Sequence, residues 1–467
     1  MANTETAAHK RIVSLLDEQS FVEIGSRVVT RLSDCDPSLE QQGDGVVCGY
    51  GSVNGSLVYV YAQDASVCGG SIGEMHARKI RRLYDMALKM EAPVIALLDC
   101  SGVRLSEGND SLYGFGRIFA AQAQASGVIP QFTAVFGSCG GGMAVSASMA
   151  DFVFMEEKHA KLFLNSPNAV LGNYEEKCDT ASAAFQAAKT GIADFTGDEA
   201  EVIASLRELI SMLPQSNQTD YSDTVCEDDL NRAVAGIEHA KDKAELIALL
   251  GDNGKFFELK KAHAKELTVG FIRLDGKTVG VVANNDRKLT HFACKKAIHF
   301  VNFCDAFCIP VLTLVDVDGF AQNMSDEQQL ARALGKLSYT YAGASVPTVT
   351  VVCGHAYGTA GLVMNSKSLG ADVVYAWENA DMGLMDPAAA VSIISAEEIE
   401  AAEDKKGKLS ELTNAYRKTQ SSAEANARRG YVDDIIAPEE TRQRVCAAFE
   451  MLFGKRAALV DRKHGTV

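Results

Sequence analysis

Two glycine-bearing turns are where residue type and spacing in this chain could do chemistry. Gly140-Gly141-Gly142 follows the run FTAVF and precedes the small-residue run AVSASMA. Gly358-Thr359-Ala360-Gly361 takes the corresponding place after PTVTVV. A strand that ends in glycine and continues as a helix exposes unpaired backbone N–H groups at the positive end of the helix dipole. Two such donors stabilise a developing oxyanion, and losing one from a comparable hole costs about 3–4 kcal/mol. Glycines here could equally serve close helix–sheet packing or a phosphate. The spacing is not GxGxxG and no Walker lysine follows, which argues against a nucleotide. Recurrence at the same place in both halves favours function over packing.

What surrounds the turns narrows the chemistry. No GxSxG elbow occurs, and although Ser138 and Cys139 precede the first turn, nothing marks a paired base. Backbone donors without a nucleophile suit a reaction through an enolate, with the reactive partner brought from outside. The 12 cysteines include no CxxC, and Cys139, Cys294, Cys304, Cys308 and Cys353 lie in apolar runs, so reduced core thiols are expected. Cys304 and Cys308 at i, i+4 lack further ligands for a metal, and none is expected. The nine histidines show no HxH or HExxH spacing. His355 alone stands in a turn motif, where a structural role is the expectation.

The elements that must position these turns are written twice. RIVSLLDEQSFVEI is answered by ELIALLGDNGKFFEL, and SVNGSLVYV by IRLDGKTVGVV, with Asn54-Gly55 and Asp275-Gly276 as tight-turn dipeptides between alternating runs. PVIALLDCSGVR is matched by PVLTLVDVDGFA, FTAVFGSCGGGMAVSASMADFVF by PTVTVVCGHAYGTAGLVMNSKSLGADVVYA, and FLNSPNAV by MGLMDPAAAV. The order is kept and the offset stays between 217 and 235 positions, which marks a duplicated domain and not a solenoid. The limits expected are 1–230 and 231–467. Within each half, short β-branched runs alternate with helical patterns such as GEMHARKIRRLYDMALKME, which predicts βαβ crossovers and a mainly parallel, buried sheet.

Composition agrees with two ordinary globular domains. Of the 467 residues, 47% are hydrophobic and 23% charged. No apolar run is long enough to span a membrane and the start lacks a signal-peptide core, so a cytoplasmic protein is expected. A net charge of −16 argues against a nucleic-acid partner.

The phrases SFVEI, GSVNGSLVYVYAQD, GGSIGEMHARKI, EGNDSLYGFGRIF, GSCGGGMAVS, FVNFCDAFCIPVLTLVD and GYVDDIIAPEETR run nearly the whole chain. In them the sequence resembles the carboxyltransferase subunit of biotin-dependent acyl-CoA carboxylases and of the related sodium-pumping methylmalonyl-CoA decarboxylases. The resemblance implies an α/β fold of two tandem crotonase-like domains. It implies transfer of a carboxyl group between carboxybiotin and a short acyl-CoA. The amides of Gly141 and Gly142 would then stabilise the thioester enolate, and those of Thr359 and Ala360 the ureido oxygen of biotin. Gly69, Gly70, Gly102, Tyr357 and Leu362 would line the substrate. On the same ground Gly142 and Ala360 should be equivalent in the two repeats. No AMKM-like biotinylation sequence occurs, so biotin would ride on a separate carrier protein. The partners implied are that carrier, with a biotin carboxylase or membrane decarboxylase subunits, and a homo-oligomer of two or six copies.

Two further readings stand beside this one. A biotin-independent acyl-CoA hydratase, isomerase or decarboxylase of the same fold would need a carboxylate at the thioester, with Glu107 or Asp110 the nearest. An inactive carrier-docking subunit is favoured by the segment GFAQNMSDEQQLARALGKLSY, which lacks the Gly-Gly and Arg-His-Gly stretch usual in the family.

Overall fold

The computed structural model describes residues 6–31, 42–173, 177–219, 225–226 and 228–455. The chain divides into two compact units, Met1–Ser222 and Asp223–Val467.

The first unit is built on strands β1 (Val22–Ile24), β2 (Val46–Val53), β3 (Ser56–Gln63), β4 (Val94–Cys100), β5 (Gln131–Gly140), β6 (Phe152–Glu156), β7 (Lys161–Phe163) and β8 (Phe195–Gly197). They form one sheet in the order β1-β2-β3-β4-β5-β6-β8, with β7 paired to β5. The β1–β2–β3 pairs are antiparallel and all later pairs are parallel. The second unit repeats the plan with β9 (Phe257–Leu259), β10 (Leu267–Leu274), β11 (Lys277–Asn284), β13 (Val311–Val317), β15 (Thr348–Tyr357), β16 (Val373–Trp377), β17 (Asp381–Gly383) and β18 (Asp434–Ile436). Here the order is β9-β10-β11-β13-β15-β16-β18, with β17 on β15, while β12 (Lys288–Leu289) and β14 (Gly319–Phe320) form a separate two-stranded pair.

Local chemistry explains the elements. Asn54 and Gly55 (φ 49° and 82°), like Asp275 and Gly276 (φ 55° and 71°), take the paired positive φ values of a type I′ hairpin. An aspartate closes each hairpin. Asp17 accepts the N–H groups of Asn54 and Gly55 at 2.9 and 2.8 Å, and Asp252 those of Asp275 and Gly276 at 3.3 and 2.8 Å. An arginine near the far end of each unit reaches back to that carboxylate. Arg207 lies 2.8 Å from Asp17 and Arg442 lies 2.6 Å from Asp252. Helices α1 (Ala7–Leu15), α2 (Glu74–Met90), α3 (Asn109–Ala125), α4 (Gly142–Ser148) and α5 (Glu199–Met212) belong to the first unit. Of these, α5 starts on a full Asp198/Glu201 capping box. Helices α6 (His291–Ala306), α7 (Met324–Gly343) and α8 (Gly358–Val363) belong to the second, and α7 is capped by Asn323.

The core of the first unit gathers Ile80, Leu83 and Tyr84 of α2, Phe115 and Ile118 of α3, and the inward residues of β4 to β6. Among the described residues no helix is long and apolar enough to cross a membrane.

Candidate active site

The two turns grow out of one repeated packing device. Pairing of β4 with β5 shifts register between Leu98 and Cys100, and pairing of β13 with β15 shifts between Val315 and Val317. The residues inside the shifts are Asp99 and Asp316. Each carboxylate lies against a glycine of the next strand: a Cβ on Gly137 would fall 2.1 Å from Asp99 Oδ1, and one on Gly354 2.4 Å from Asp316 Oδ1. Only glycine fits either place.

Counting onward from these glycines sets the repeat. Cys139 faces Cys100 and Ala356 faces Val317. Gly141 and Gly358 then occupy equivalent positions and share φ values of 57° and 58°. Gly142 is therefore equivalent to Thr359 and Met143 to Ala360. The expected match of Gly142 with Ala360 is one residue out, because the turn glycine of the second repeat is Gly358.

At the first turn the N–H of Gly141 donates to the carbonyl of Phe163 on β7 at 2.9 Å. That amide is occupied, which corrects its expected role as an oxyanion donor. Gly142 and Met143, the first residues of α4, have no acceptor for their N–H groups among the described residues. Other predicted residues come to the same place. Ser101 N–H donates to Gly69 O at 3.0 Å, a Cβ on Gly70 would sit 2.2 Å from Asp99 O, and one on Gly102 would sit 3.8 Å from Gly140 O. A cavity of about 650 Å³ lies beside this turn, lined among others by Phe163, Pro167, Lys161 and Asn173. Burial pushes the Cys100 thiol up to about 11 and raises that of Cys139 as well, so neither supplies a thiolate here.

The expected rival carboxylates are engaged elsewhere. Glu107 is buried, bonded through Oε1 to Arg104 at 3.0 Å and accepting Glu74 N–H through Oε2 at 2.6 Å. Arg104 also binds the fully buried Asp44, whose carboxyl burial raises despite that partner. Asp110 is exposed and paired with Arg31.

At the second turn Thr359 and Ala360 follow Gly358 in the first turn of α8, and their N–H groups likewise have no acceptor among the described residues. Tyr357 is buried just before the turn, and burial followed by nearby carboxylates raises its phenol, which stays neutral. Its ring meets that of His355 at a tilt of 31°, with centroids 4.9 Å apart. Leu362 is 43% exposed on α8. Around His355 lie groups that sequence reasoning missed: Asp318 at 2.5 Å, Arg287 at 3.3 Å, and Asp316, which accepts the His355 N–H at 3.0 Å.

A family model for the carboxyl transferase domain matches residues 2–467. The chain belongs to that family. The methylmalonyl-CoA decarboxylase subunit alpha of Propionigenium modestum is 37% identical, over 100% of this chain and 94% of that one. The carboxyltransferase subunit of propionyl-CoA carboxylase from Haloferax mediterranei is 40% identical, over 98% of this chain and 93% of that one. A solved transcarboxylase 12S, described as a hexamer with methylmalonyl-CoA and methylmalonic acid bound, matches with a TM-score of 0.92 at 34% identity, over 98% of this chain and 91% of that one. The fold is thus α/β, with two tandem crotonase-like units, as the sequence led us to expect.

Among the described residues no group of three or more His, Cys, Asp or Glu could hold a metal. The missed Met143 was legible in principle, since aligning Gly137 with Gly354 gives the right offset. The Phe163 carbonyl was not, because its place depends on the pairing of β7.

Proposed function

We propose that this chain moves a carboxyl group between biotin, held on a separate carrier protein, and the α-carbon of a short acyl-CoA such as propionyl-/methylmalonyl-CoA or acetyl-/malonyl-CoA. The observation that carries this reading is the pair of equivalent turns, each in the first turn of a helix with two N–H groups that lack acceptors among the described residues. Gly142 and Met143 suit the thioester oxygen, which gains charge as the α-carbon loses a proton or CO2. Thr359 and Ala360 suit the ureido oxygen of biotin, an acceptor-only carbonyl that two convergent amides can satisfy. Biotin, when bound, supplies the nitrogen that carries the carboxyl group. The protein's share is positioning and fixed dipoles. Gly69, Gly70 and Gly102 floor the thioester side, and Tyr357 and Leu362 line the substrate beside the second turn. The partners fitting this chemistry are a biotin carrier with either a biotin carboxylase or membrane decarboxylase subunits.

The test is decarboxylation of methylmalonyl-CoA by the purified chain with and without free biotin. Biotin-dependent release of CO2 supports the reading. An equal rate without biotin would instead support biotin-independent chemistry, for which Glu107 and Asp110 are poorly placed.

A further inference from the structure

Asp99 and Asp316 do more than fill a notch, because each is held from three sides in the same way. The N–H of Asp99 donates to Gln63 Oε1 at 3.3 Å, and that of Asp316 to Asn284 Oδ1 at 3.3 Å. Gln63 and Asn284 are buried and close the equivalent strands β3 and β11. The second side is the glycine of the next strand, Gly137 or Gly354. The third is a cation from the helix near the start of the unit. Arg11 of α1 lies 3.7 Å from Asp99, and Lys243, which opens the helix Lys243–Leu250, lies 3.6 Å from Asp316.

The two cations do not stand at equivalent positions. Counting back from the matched helix ends, Leu15 and Leu250, Arg11 answers to Leu246 and not to Lys243. A residue carried over by duplication alone would keep its place, so what recurs is the charge pairing itself. All four side chains are partly buried, where such a pair is screened less than on the surface. Arg11 also binds Glu199 at 3.2 Å, and Arg287 lies 3.5 Å from Asp316.

Contacts lead from each carboxylate to its turn. A Cβ on Gly70 would meet the Asp99 carbonyl at 2.2 Å, so Asp99 stands between the expected floor of the site and the strand that carries the first turn. Past Gly137, Ser138 to Gly140 pair with β7, whose Phe163 holds Gly141. In the second unit Asp316 Oδ1 accepts the His355 N–H at 3.0 Å, and Ala356 comes next. A Cβ on Gly361 of α8 would fall 2.6 Å from the Ala356 carbonyl carbon, so α8 rests on that backbone. Donors of this kind work only when held within about 0.5 Å of their productive place.

We propose that Asp99 and Asp316 are positioning residues for carboxyl transfer, each setting the amide pair of its own turn. The proposal rests on the assignment of the thioester to the first turn and a cyclic urea to the second. Neither carboxylate touches a ligand. Neutralising one frees its cation, lets the strand end relax and carries the amides off the oxygen they serve.

Asp99→Asn and Asp316→Asn test this, since each keeps the notch filled at nearly the same volume. Biotin-dependent decarboxylation of methylmalonyl-CoA should fall at least about tenfold in both. The informative readout is which KM rises. Asp99→Asn should raise that of methylmalonyl-CoA and not that of free biotin, and Asp316→Asn the reverse. Arg11→Met and Lys243→Met should each reproduce the pattern of the aspartate they pair with. Lys243→Met/Asp316→Asn should lose little beyond Asp316→Asn alone. Equal rises of both KM values in each variant, or a lower melting temperature with wild-type kinetics, would overturn the proposal. A crossed pattern with the two ligands exchanged would support the positioning role and overturn the assignment of ligands to turns. If wild type shows no biotin-dependent transfer, the assigned function fails. Titration with propionyl-CoA then decides for the first unit: weaker binding in Asp99→Asn than in Asp316→Asn supports the role, and equal binding overturns it.

Discussion

At Gly141 an added Cβ would meet nothing within 4 Å, yet φ of 57° with ψ of −122° is backbone that side chains rarely adopt. Gly141→Ala should therefore strain the turn by about 1–3 kcal/mol and lower carboxyl transfer at least about tenfold, with an unchanged circular dichroism spectrum. Gly142 fails for a different reason. Its Cβ would lie 2.8 Å from the Phe115 ring, so Gly142→Val should overpack the core and cost about 1–3 kcal/mol, read first as a lower melting temperature. On α8, Leu362→Asp should change the ratio of rates on acetyl-, propionyl- and butyryl-type thioesters more than the best rate, since one methylene discriminates by about 1–3 kcal/mol. Equal ratios in the two proteins would place Leu362 away from the acyl group.

Among the elements, the hairpins carry the clearest pH dependence. Burial alone would raise the Asp17 carboxyl, but the N–H of Gly55 and the Arg207 guanidinium hold it well below the usual carboxylate range. A depressed acid stabilises the fold above its unfolded value, about 3.9, and that stability fades as pH falls toward the folded value. The urea midpoint should accordingly drop between about pH 4 and 2, less steeply in Asp17→Asn. Asp151, which receives Gln131 N–H at the head of β5, behaves oppositely. Burial lifts it from an ordinary 3.8 to about 7, so its contribution is full below 3.8 and is lost as pH rises to about 7. Asp151→Asn should flatten that part of the curve; an unchanged slope would mean Asp151 titrates normally. Much at this scale was legible beforehand. Asn54-Gly55 and Asp275-Gly276 encode their turns in their own conformational preferences, and the alternating runs encode the strands. The Glu107–Arg104–Asp44 cluster was not legible, nor was the His355–Asp318 pair. Asp44 stands 60 positions from Arg104 and Asp318 37 from His355, so these groups meet only through the tertiary fold, which no local preference sets.

For the whole molecule, the multimer expected from the sequence is the point to test. Light scattering at micromolar concentration should give a mass of at least two 50.0 kDa chains, and a single chain would count against it. The long-range arginine contacts bear on how such a chain is made. Each arginine is separated from its aspartate by 190 residues, Arg207 from Asp17 and Arg442 from Asp252. Each unit is thus latched between its beginning and its end, by a residue that a ribosome delivers almost last. Synthesis should therefore proceed in two closures: the first latch can shut while the second unit is still being translated, before that unit offers sticky strands to pair with. That order of closure would separate two look-alike sheets in time.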